Sequence, residues 1–183
     1  MNTRGYNLWQ SFNKLVEEAV GEIETEINVA LGTSYAIDLY IEEPVLTYPA
    51  VRTRFVQWDG HDRRHFMARA EMEVYHQDAG DPPDYGLSKL ITSSLLDKLG
   101  FKTSRDGFYA NHPIKDYFDD PVSPALQDPF RIELDTLTGR LKLDDPAAER
   151  TEVDNSTGWR DVPESDPDIM HSRILLKLFY RGD

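Results

Sequence analysis

The chain begins with a long amphipathic pattern in which apolar residues recur every three or four positions and glutamates occupy much of the remaining surface. That period is typical of an α-helix with one buried face. Gly32 follows the pattern and can adopt the left-handed conformation that ends many helices. The pattern therefore predicts a helix over residues 7–31. Its apolar stripe consists of Leu8, Phe12, Leu15, Val16, Ala19, Ile23, Ile27 and Leu31.

After this helix the period falls to two, which is typical of strands that bury one face of a sheet. Alternation predicts strands over residues 35–41, 51–58 and 65–76. Gly60 lies in the short connection between the second and third strands, so these two are predicted to form a hairpin. A second stripe at helical spacing then predicts a helix over residues 85–99.

Two segments, residues 101–129 and 142–168, predict long irregular excursions. Prolines recur through the first, and the second combines three prolines with nine acidic residues. Residues 130–134 and 140–143 predict a short hairpin between the two excursions, and alternation over 170–180 predicts a final strand. Together the elements predict a single α+β domain over residues 1–183. It has a small, mostly antiparallel sheet, with the long N-terminal helix and the second helix packed on one face.

Composition narrows the possible function classes. A chain of 183 residues and 21.0 kDa can bury an independent core. No run approaches the roughly 20 apolar residues of a membrane-spanning helix. The absence of cysteine excludes disulfides and thiolate chemistry, and no apolar signal precedes the first helix, so we expect assembly in the cytoplasm. A net charge of -13 opposes general nucleic-acid binding, because such binding needs clustered basic residues.

The residues that could carry chemistry form no recognised motif. His61 and His65 are four residues apart but fall in a predicted turn, where a helical metal-ligand spacing has no meaning. The paired aspartates of the loops lack the alternating ligand order of a calcium loop. We therefore predict no catalytic, cofactor-binding or metal-binding residues and no enzyme. The alternative of an enzyme stays open on the histidines His61, His65, His76 and His171, each with a nearby aspartate.

Aromatic side chains in the irregular segments are candidates for contacts with another protein. Such residues either pin a loop to its own core or anchor a partner. Two long excursions on a small sheet are more than one core needs, so both explanations stay open. The candidate contact residues are Tyr109, His112, Tyr117, Phe118 and Trp159.

Three segments together carry a resemblance to a known family. They are the strand over 65–76, the helix over 87–100, which ends in Leu-Leu-Asp-Lys-Leu-Gly, and Gly158-Trp159-Arg160-Asp161 leading into the strand over 171–180. In this order they resemble the tail-terminator (tail-completion) proteins of long-tailed bacteriophages, and more loosely the neighbouring neck proteins. The resemblance implies a small α+β domain that forms a hexameric ring on the tail tube, ends tail growth and offers the head connector a docking surface.

The resemblance also implies partners and a location. The partners are further copies of the chain, the tail tube protein, the head–tail connector and sheath proteins, with DNA only as passing cargo, and the location is the virion. An acidic lumen, lined by the first helix or by 142–168, would repel the phosphates of that DNA. Sheet edges and the two excursions would supply the contacts. We expect that deleting residues 105–127 abolishes docking and leaves the fold intact.

An acidic protein-binding or regulatory module that mimics nucleic-acid charge is the main alternative function. Clustered acids on one face would favour that alternative, whereas the acids of this sequence are spread over several predicted elements.

Overall fold

The computed structural model describes residues 3–58, 65–78, 86–101, 109–135, 153–154, 159–162 and 168–181. These residues form two helices, α1 (Arg4–Leu31) and α2 (Gly86–Lys98), and eight strands. The strands are β1 (Asp38–Ile41), β2 (Ala50–Trp58), β3 (His65–Gln77), β4 (Tyr109–Lys115), β5 (Leu126–Leu134), β6 (Val153–Asp154), β7 (Trp159–Val162) and β8 (Ile169–Arg181). The α+β class and the long N-terminal helix expected from the sequence are confirmed.

The eight described strands form one curled sheet, in which six follow the order β1-β2-β3-β8-β5-β4. Every pair along this path is antiparallel except β1 with β2, which is parallel. The longest ladder joins β3 to β8 over the whole length of both strands. The edge of β8 that faces away from β3 pairs with two strands in succession. Residues 176–179 of β8 pair with β5, residues 171–174 pair with β7, and β7 in turn pairs with β6.

The core lies between one face of this sheet and the two helices. Paired residues of neighbouring strands share a face, so the even-numbered residues of β3 and β8 face the helices together. Each fully buried apolar side chain of this size contributes roughly 1.5–3 kcal/mol. The largest buried side chains include Leu8, Phe12, Met72, Ile91, Leu95, Phe130, Ile174 and Leu176.

The end of α1 is set by a glycine, as the sequence predicts. Gly32 has a φ of 65°, in the left-handed region that favours glycine, and its amide and that of Thr33 donate to the carbonyl of Asn28. The next residues do not join the sheet, because α1 holds them instead. Asn28 exchanges two side-chain hydrogen bonds with the backbone of Tyr35, and the amide of Ile37 donates to the Glu24 carboxylate. The strand predicted over 35–41 is therefore shortened to β1.

The irregular structure predicted for residues 101–129 is wrong for β4 and for the start of β5. Pro113 and Pro129 lie opposite each other in the β4–β5 pair. By the alternation of the strands, both prolines face away from the β4–β5 ladder, so their missing N–H groups cost this pair no hydrogen bond, and prolines are tolerated at edge strands and bulges. The register also shifts immediately after Pro113. These prolines are therefore compatible with the pairing of β4 and β5.

Two further predictions fall largely outside the described residues. The excursion over 142–168 contains β6 and β7, which are too short to produce a sequence pattern, and the rest of it is not described. The second arm of the hairpin predicted for 130–134 and 140–143 also lies outside the described residues. Within them, β5 pairs with β4 and β8.

Candidate functional site

The connection between β4 and β5, residues 116–125, is organised around the carboxylate of Asp116. Its Oδ1 accepts hydrogen bonds from the amides of Phe118 (3.1 Å) and Asp119 (3.2 Å), and from Nδ2 of Asn7 on α1 (3.1 Å). Its Oδ2 accepts from Nε2 of Gln127 at 2.6 Å. The Asp119 amide is the largest of the causes that lower the pKa of Asp116. Asp116 therefore fixes the loop to β5 through Gln127 and to α1 through Asn7.

A second aspartate repeats the same device four residues later. Oδ1 of Asp120 accepts hydrogen bonds from the amides of Val122 (3.1 Å) and Ser123 (2.9 Å). Both aspartates thus form side-chain turns of the kind that asparagine and aspartate favour. The backbone amide of Asp116 also donates to the carbonyl of Ala125 at 3.0 Å, which closes the loop. The result is a loop whose conformation is set before any partner arrives.

This ordered loop and the first residue of β5 expose three large apolar side chains, which we name the loop contact surface. They are Phe118, Val122 and Leu126, with exposed fractions of 56%, 92% and 63%. A partner that covered them would remove this remaining apolar surface from water, which favours association. Preorganisation lowers the entropic cost of such an association. The loop contact surface therefore has the properties of a protein docking site.

Two of the sequence-predicted contact residues are partly buried within this molecule instead. Tyr117 is half-buried, and burial, with the nearby carboxylates of Glu18 and Glu17, raises the pKa of its phenol to about 12. His112 Nε2 is 2.8 Å from the carbonyl of Leu99 and donates to it, joining β4 to the end of α2. His112 therefore joins β4 to the end of α2, and Tyr117 lies beside the carboxylates of α1, so both offer less of their surface to a partner.

The remaining candidates lie away from the loop. Tyr109 is 47% exposed at the start of β4, with the Arg131 guanidinium 3.9 Å from its ring centroid. The length of β4 separates it from Phe118 by roughly 20 Å. Trp159 lies in β7, where it pairs with Ile174 of β8, and its side chain is not among those described. Of the five candidates, Phe118 alone belongs to the loop contact surface.

Sequence reasoning missed Val122 and Leu126 because it searched the excursions for aromatic residues. A usable signal was present in the spacing of the aspartates. Asp116 and Asp120 each stand two residues before an exposed apolar residue, Phe118 and Val122. An aspartate that bonds to the amide two residues ahead is the mark of a side-chain turn.

A second constellation lies on the sheet face opposite the helices and centres on Glu73. This carboxylate is fully buried, and it accepts a hydrogen bond from Nε of Arg52 at 2.6 Å. Nε2 of His171 lies 3.1 Å from its other oxygen, and Nε of Arg173 lies 3.6 Å from that oxygen. Burial opposes ionisation, but the hydrogen bonds of His171 and Arg52 outweigh it and lower the pKa of Glu73 to about 2. Glu73, which lies on β3, is therefore linked to β2 through Arg52 and to β8 through His171 and Arg173.

Aromatic contacts complete this cluster. The Tyr75 ring stacks on His171 with centroids 4.2 Å apart, and Arg52 lies 5.3 Å from the Tyr75 centroid while donating from Nη2 to its hydroxyl at 2.8 Å. The ionisable groups of the cluster therefore contact one another directly. Each charged group of the cluster is thus paired with another across neighbouring strands. We name this cluster the interstrand clamp; it consists of Arg52, Glu73, Tyr75, His171 and Arg173.

The histidines of the enzyme alternative do not all meet at this clamp. His171 belongs to it, and His76 lies one residue along β3 from Tyr75, also buried. His65 begins β3, roughly 35 Å from His76 along the strand, and its side chain is not among those described. His61 lies outside the described residues.

Glutamates of α1 form an acidic ridge around Gly21. Glu18, Glu22 and Glu26 line a shallow depression there, and lysines of neighbouring elements pair with them. Lys98 lies 2.8 Å from Glu22 and 2.6 Å from Glu26, and these hydrogen bonds raise the pKa of Lys98. Lys115 lies 3.5 Å from Glu18. The pairing reduces the negative charge that a mimic of nucleic acid would have to present.

Comparisons with known proteins assign no family: no protein-family model matches the chain, and no curated protein sequence does. Across the described ranges, no group of three or more histidine, aspartate or glutamate side chains is arranged to hold a metal ion. Neither described helix is long and apolar enough to cross a membrane.

Proposed function

We propose that this chain is a structural component of a bacteriophage tail or neck. In this proposal, copies of the chain form a ring that caps the tail tube, ends tail assembly and joins the tail to the head connector. Its partners are further copies of itself, the tail tube protein, the connector and sheath proteins, and DNA passes through as cargo. The protein assembles in the host cytoplasm and resides in the virion.

The observation that carries this proposal is the loop contact surface. An assembly protein needs apolar side chains that stay exposed and correctly oriented in the free subunit, and the turns at Asp116 and Asp120 provide both. The resemblance of the element order to tail terminators supports the same conclusion. The net charge of -13 is also in keeping with a channel through which DNA slides without adhering.

The proposal is tested by adding the purified chain to polymerising tail tube protein encoded in the same genome and imaging the products by negative stain. We expect rings at one tube end and tubes that stop growing. Replacing Phe118→Ser and Val122→Ser together should weaken capping at least about tenfold, because two apolar anchors are lost.

The matched control is Val29→Ser, which removes an apolar side chain that is 80% exposed at the far end of α1. This variant should cap tubes as the wild type does. Tubes that grow past the wild-type chain, with no rings at their ends, contradict the proposed function. Full capping by the Phe118→Ser, Val122→Ser variant contradicts the role of the loop contact surface.

A further inference from the structure

The two outer strands of the sheet, β1 and β4, leave backbone groups that no described strand pairs with. In β1, the amide of Asp38 donates to the carbonyl of Pro49 at 3.3 Å, and the amide of Glu42 donates to Thr53 at 2.9 Å. Alternate residues of a strand face the same neighbour. Asp38, Tyr40 and Glu42 therefore face β2, whereas Leu39 and Ile41 direct their N–H and C=O groups outward. We name these two positions the β1 edge.

The orientation of β4 follows from its neighbour β5. The amide of Asp135, just beyond β5, donates to Leu175 of β8 at 2.8 Å, so odd-numbered residues there face β8 and even-numbered ones face β4. Ile132 pairs with Ala110. Even-numbered residues of β4 therefore face β5, and Tyr109 and Asn111 direct their backbone groups outward. We name these two positions the β4 edge.

Pro113 limits the β4 edge to those two positions. It is the next outward-facing residue after Asn111 and has no N–H to donate, so an added strand loses its ladder there. Pro129, the residue opposite Pro113, is an odd-numbered residue of β5 and therefore faces β8. It has no N–H to donate there, and the β5–β8 ladder begins only at Arg131. The prolines therefore set how much of each strand can be paired.

The two edges match each other in length and lie at opposite ends of the path β1-β2-β3-β8-β5-β4. Each offers two N–H and two C=O groups from two alternate residues. The basic side chains near the β4 edge are already paired within the chain, Lys115 with Glu18 and Arg131 with Glu133, so charge does not select the partner. One copy therefore carries both edges that such a pairing needs, and a second copy can supply the strand that each edge lacks.

We propose that the β1 edge of one copy pairs with the β4 edge of the next copy, so that the sheet continues from subunit to subunit. This inference rests on the proposed function and specifies how the ring is built. The contact is heterologous, since different surfaces meet, and repeated copies close into a ring when the rotation between them allows it. Each contact forms up to four backbone hydrogen bonds.

Proline scanning tests the two edges separately. Ile41→Pro removes an outward N–H from the β1 edge, and Asn111→Pro removes one from the β4 edge, while the bonds to β2 and β5 come from other residues. Ile41→Val and Asn111→Ser retain the N–H and serve as controls. In sedimentation velocity, each proline variant should self-associate at least about tenfold more weakly than its control, and circular dichroism should confirm that both fold.

Mixing the two proline variants distinguishes this contact from a symmetric one. The Ile41→Pro chain retains its β4 edge, and the Asn111→Pro chain retains its β1 edge. An equimolar mixture should therefore form dimers of one chain of each kind and no larger species. A symmetric contact between identical edges would instead leave one of the variants able to dimerise alone, which overturns the proposal.

Disulfide trapping provides a second measurement if a proline variant does not fold. The chain has no cysteine of its own, so Ile41→Cys combined with Tyr109→Cys or with Asn111→Cys introduces one defined pair. Oxidation should produce a ladder of linked multimers in at least one combination. A wild-type chain that is monomeric at all concentrations, together with no ladder beyond the dimer, overturns the proposal.

The capping assay separates this inference from the proposed function. If both proline variants fold, assemble and cap tubes as the wild type does, the edge contact is wrong and the capping function stands. If the wild-type chain forms edge-paired multimers but never caps a tube, the edge contact stands and the proposed function fails.

Discussion

Glu73 illustrates how individual residues in this protein combine burial with charge. A buried carboxylate is destabilising unless cations and hydrogen-bond donors compensate for the lost water. Arg52 suits this role because its guanidinium donates to Glu73 through one nitrogen and to the Tyr75 hydroxyl through another. His171 supplies a further contact from β8. Removing one member therefore leaves a buried partner without compensation.

We predict that Glu73 makes the protein sensitive to acid. Its pKa is about 2 in the folded chain, below its ordinary value of 4.5, so its stabilising effect is complete above 4.5 and is lost as the pH falls towards 2. Glu73→Gln should lower the free energy of unfolding near neutral pH by on the order of 3 kcal/mol. It should also reduce the pH dependence below 4.5. Urea unfolding between pH 2 and pH 7 measures both effects.

The control for this prediction is Glu17→Gln, which changes an exposed carboxylate of α1 that pairs with Lys14 on the surface. Its stability curve should follow that of the wild type within about 0.5 kcal/mol. If the curves of Glu73→Gln and wild type run parallel at all pH values, Glu73 does not contribute the acid sensitivity.

Helix α1 has one glycine in its interior and another directly after its last residue, in opposite backbone situations, so the two positions together test the element as a whole. Gly21 lies inside the helix, where an added Cβ would meet nothing within 4 Å. Gly32 ends the helix with a φ of 65°, a backbone conformation that residues with a side chain rarely adopt. The same substitution should therefore have opposite effects at the two positions.

We predict that Gly21→Ala stabilises the protein by about 0.5–1 kcal/mol, because alanine favours the helix interior. Gly32→Ala should destabilise it by about 1 kcal/mol, because a Cβ is strained in the left-handed region. Urea unfolding of the two variants beside the wild type measures the difference, and each serves as the other's control. Effects of the same sign would contradict the assignment of the helix end.

At the scale of the whole molecule, β4 closes the sheet against the first helix. The amide of Lys115 donates to Oγ of the buried Ser11 at 2.7 Å, and Asn7 reaches the carboxylate of Asp116. Ile114 is buried in the core cluster. These contacts join parts of the chain more than 100 residues apart in sequence. The strand therefore belongs to the folding unit, and the loop contact surface is attached to a core element.

This placement reverses one expectation from the sequence. Deleting residues 105–127 should unfold the protein rather than remove docking alone, because it takes away β4 with its buried side chains and exposes Phe130. Circular dichroism and thermal unfolding should show loss of the cooperative transition. The Phe118→Ser, Val122→Ser variant is the control and should unfold within about 1 kcal/mol of the wild type. A cooperative transition in the deletion variant would contradict the structural role of β4.

Local patterns were sufficient for the elements that bury one regular face. The stripe of α1, the stripe of α2 and the alternation in β2, β3 and β8 are each imposed by the contact between that element and the core. The same patterns could not predict that Glu73 is buried, because alternation assigns a residue to a face and does not say what covers it. Nor could they predict β4, because Pro113 disfavours a strand in general and is tolerated here only because of where the pairing places it.

The sequence by itself thus determined the class of fold, the long first helix with its glycine end, and the main strands, since these depend on short-range periodicity and backbone preference. Tertiary structure alone decided how the Asp116 carboxylate is fixed to α1 and β5, which aromatic side chains stay exposed, and which backbone groups remain at the sheet edges. The physical reason is that these features depend on neighbours distant in the chain. Asp116 positions Phe118 as it does because Asn7 and Gln127 hold its carboxylate in place.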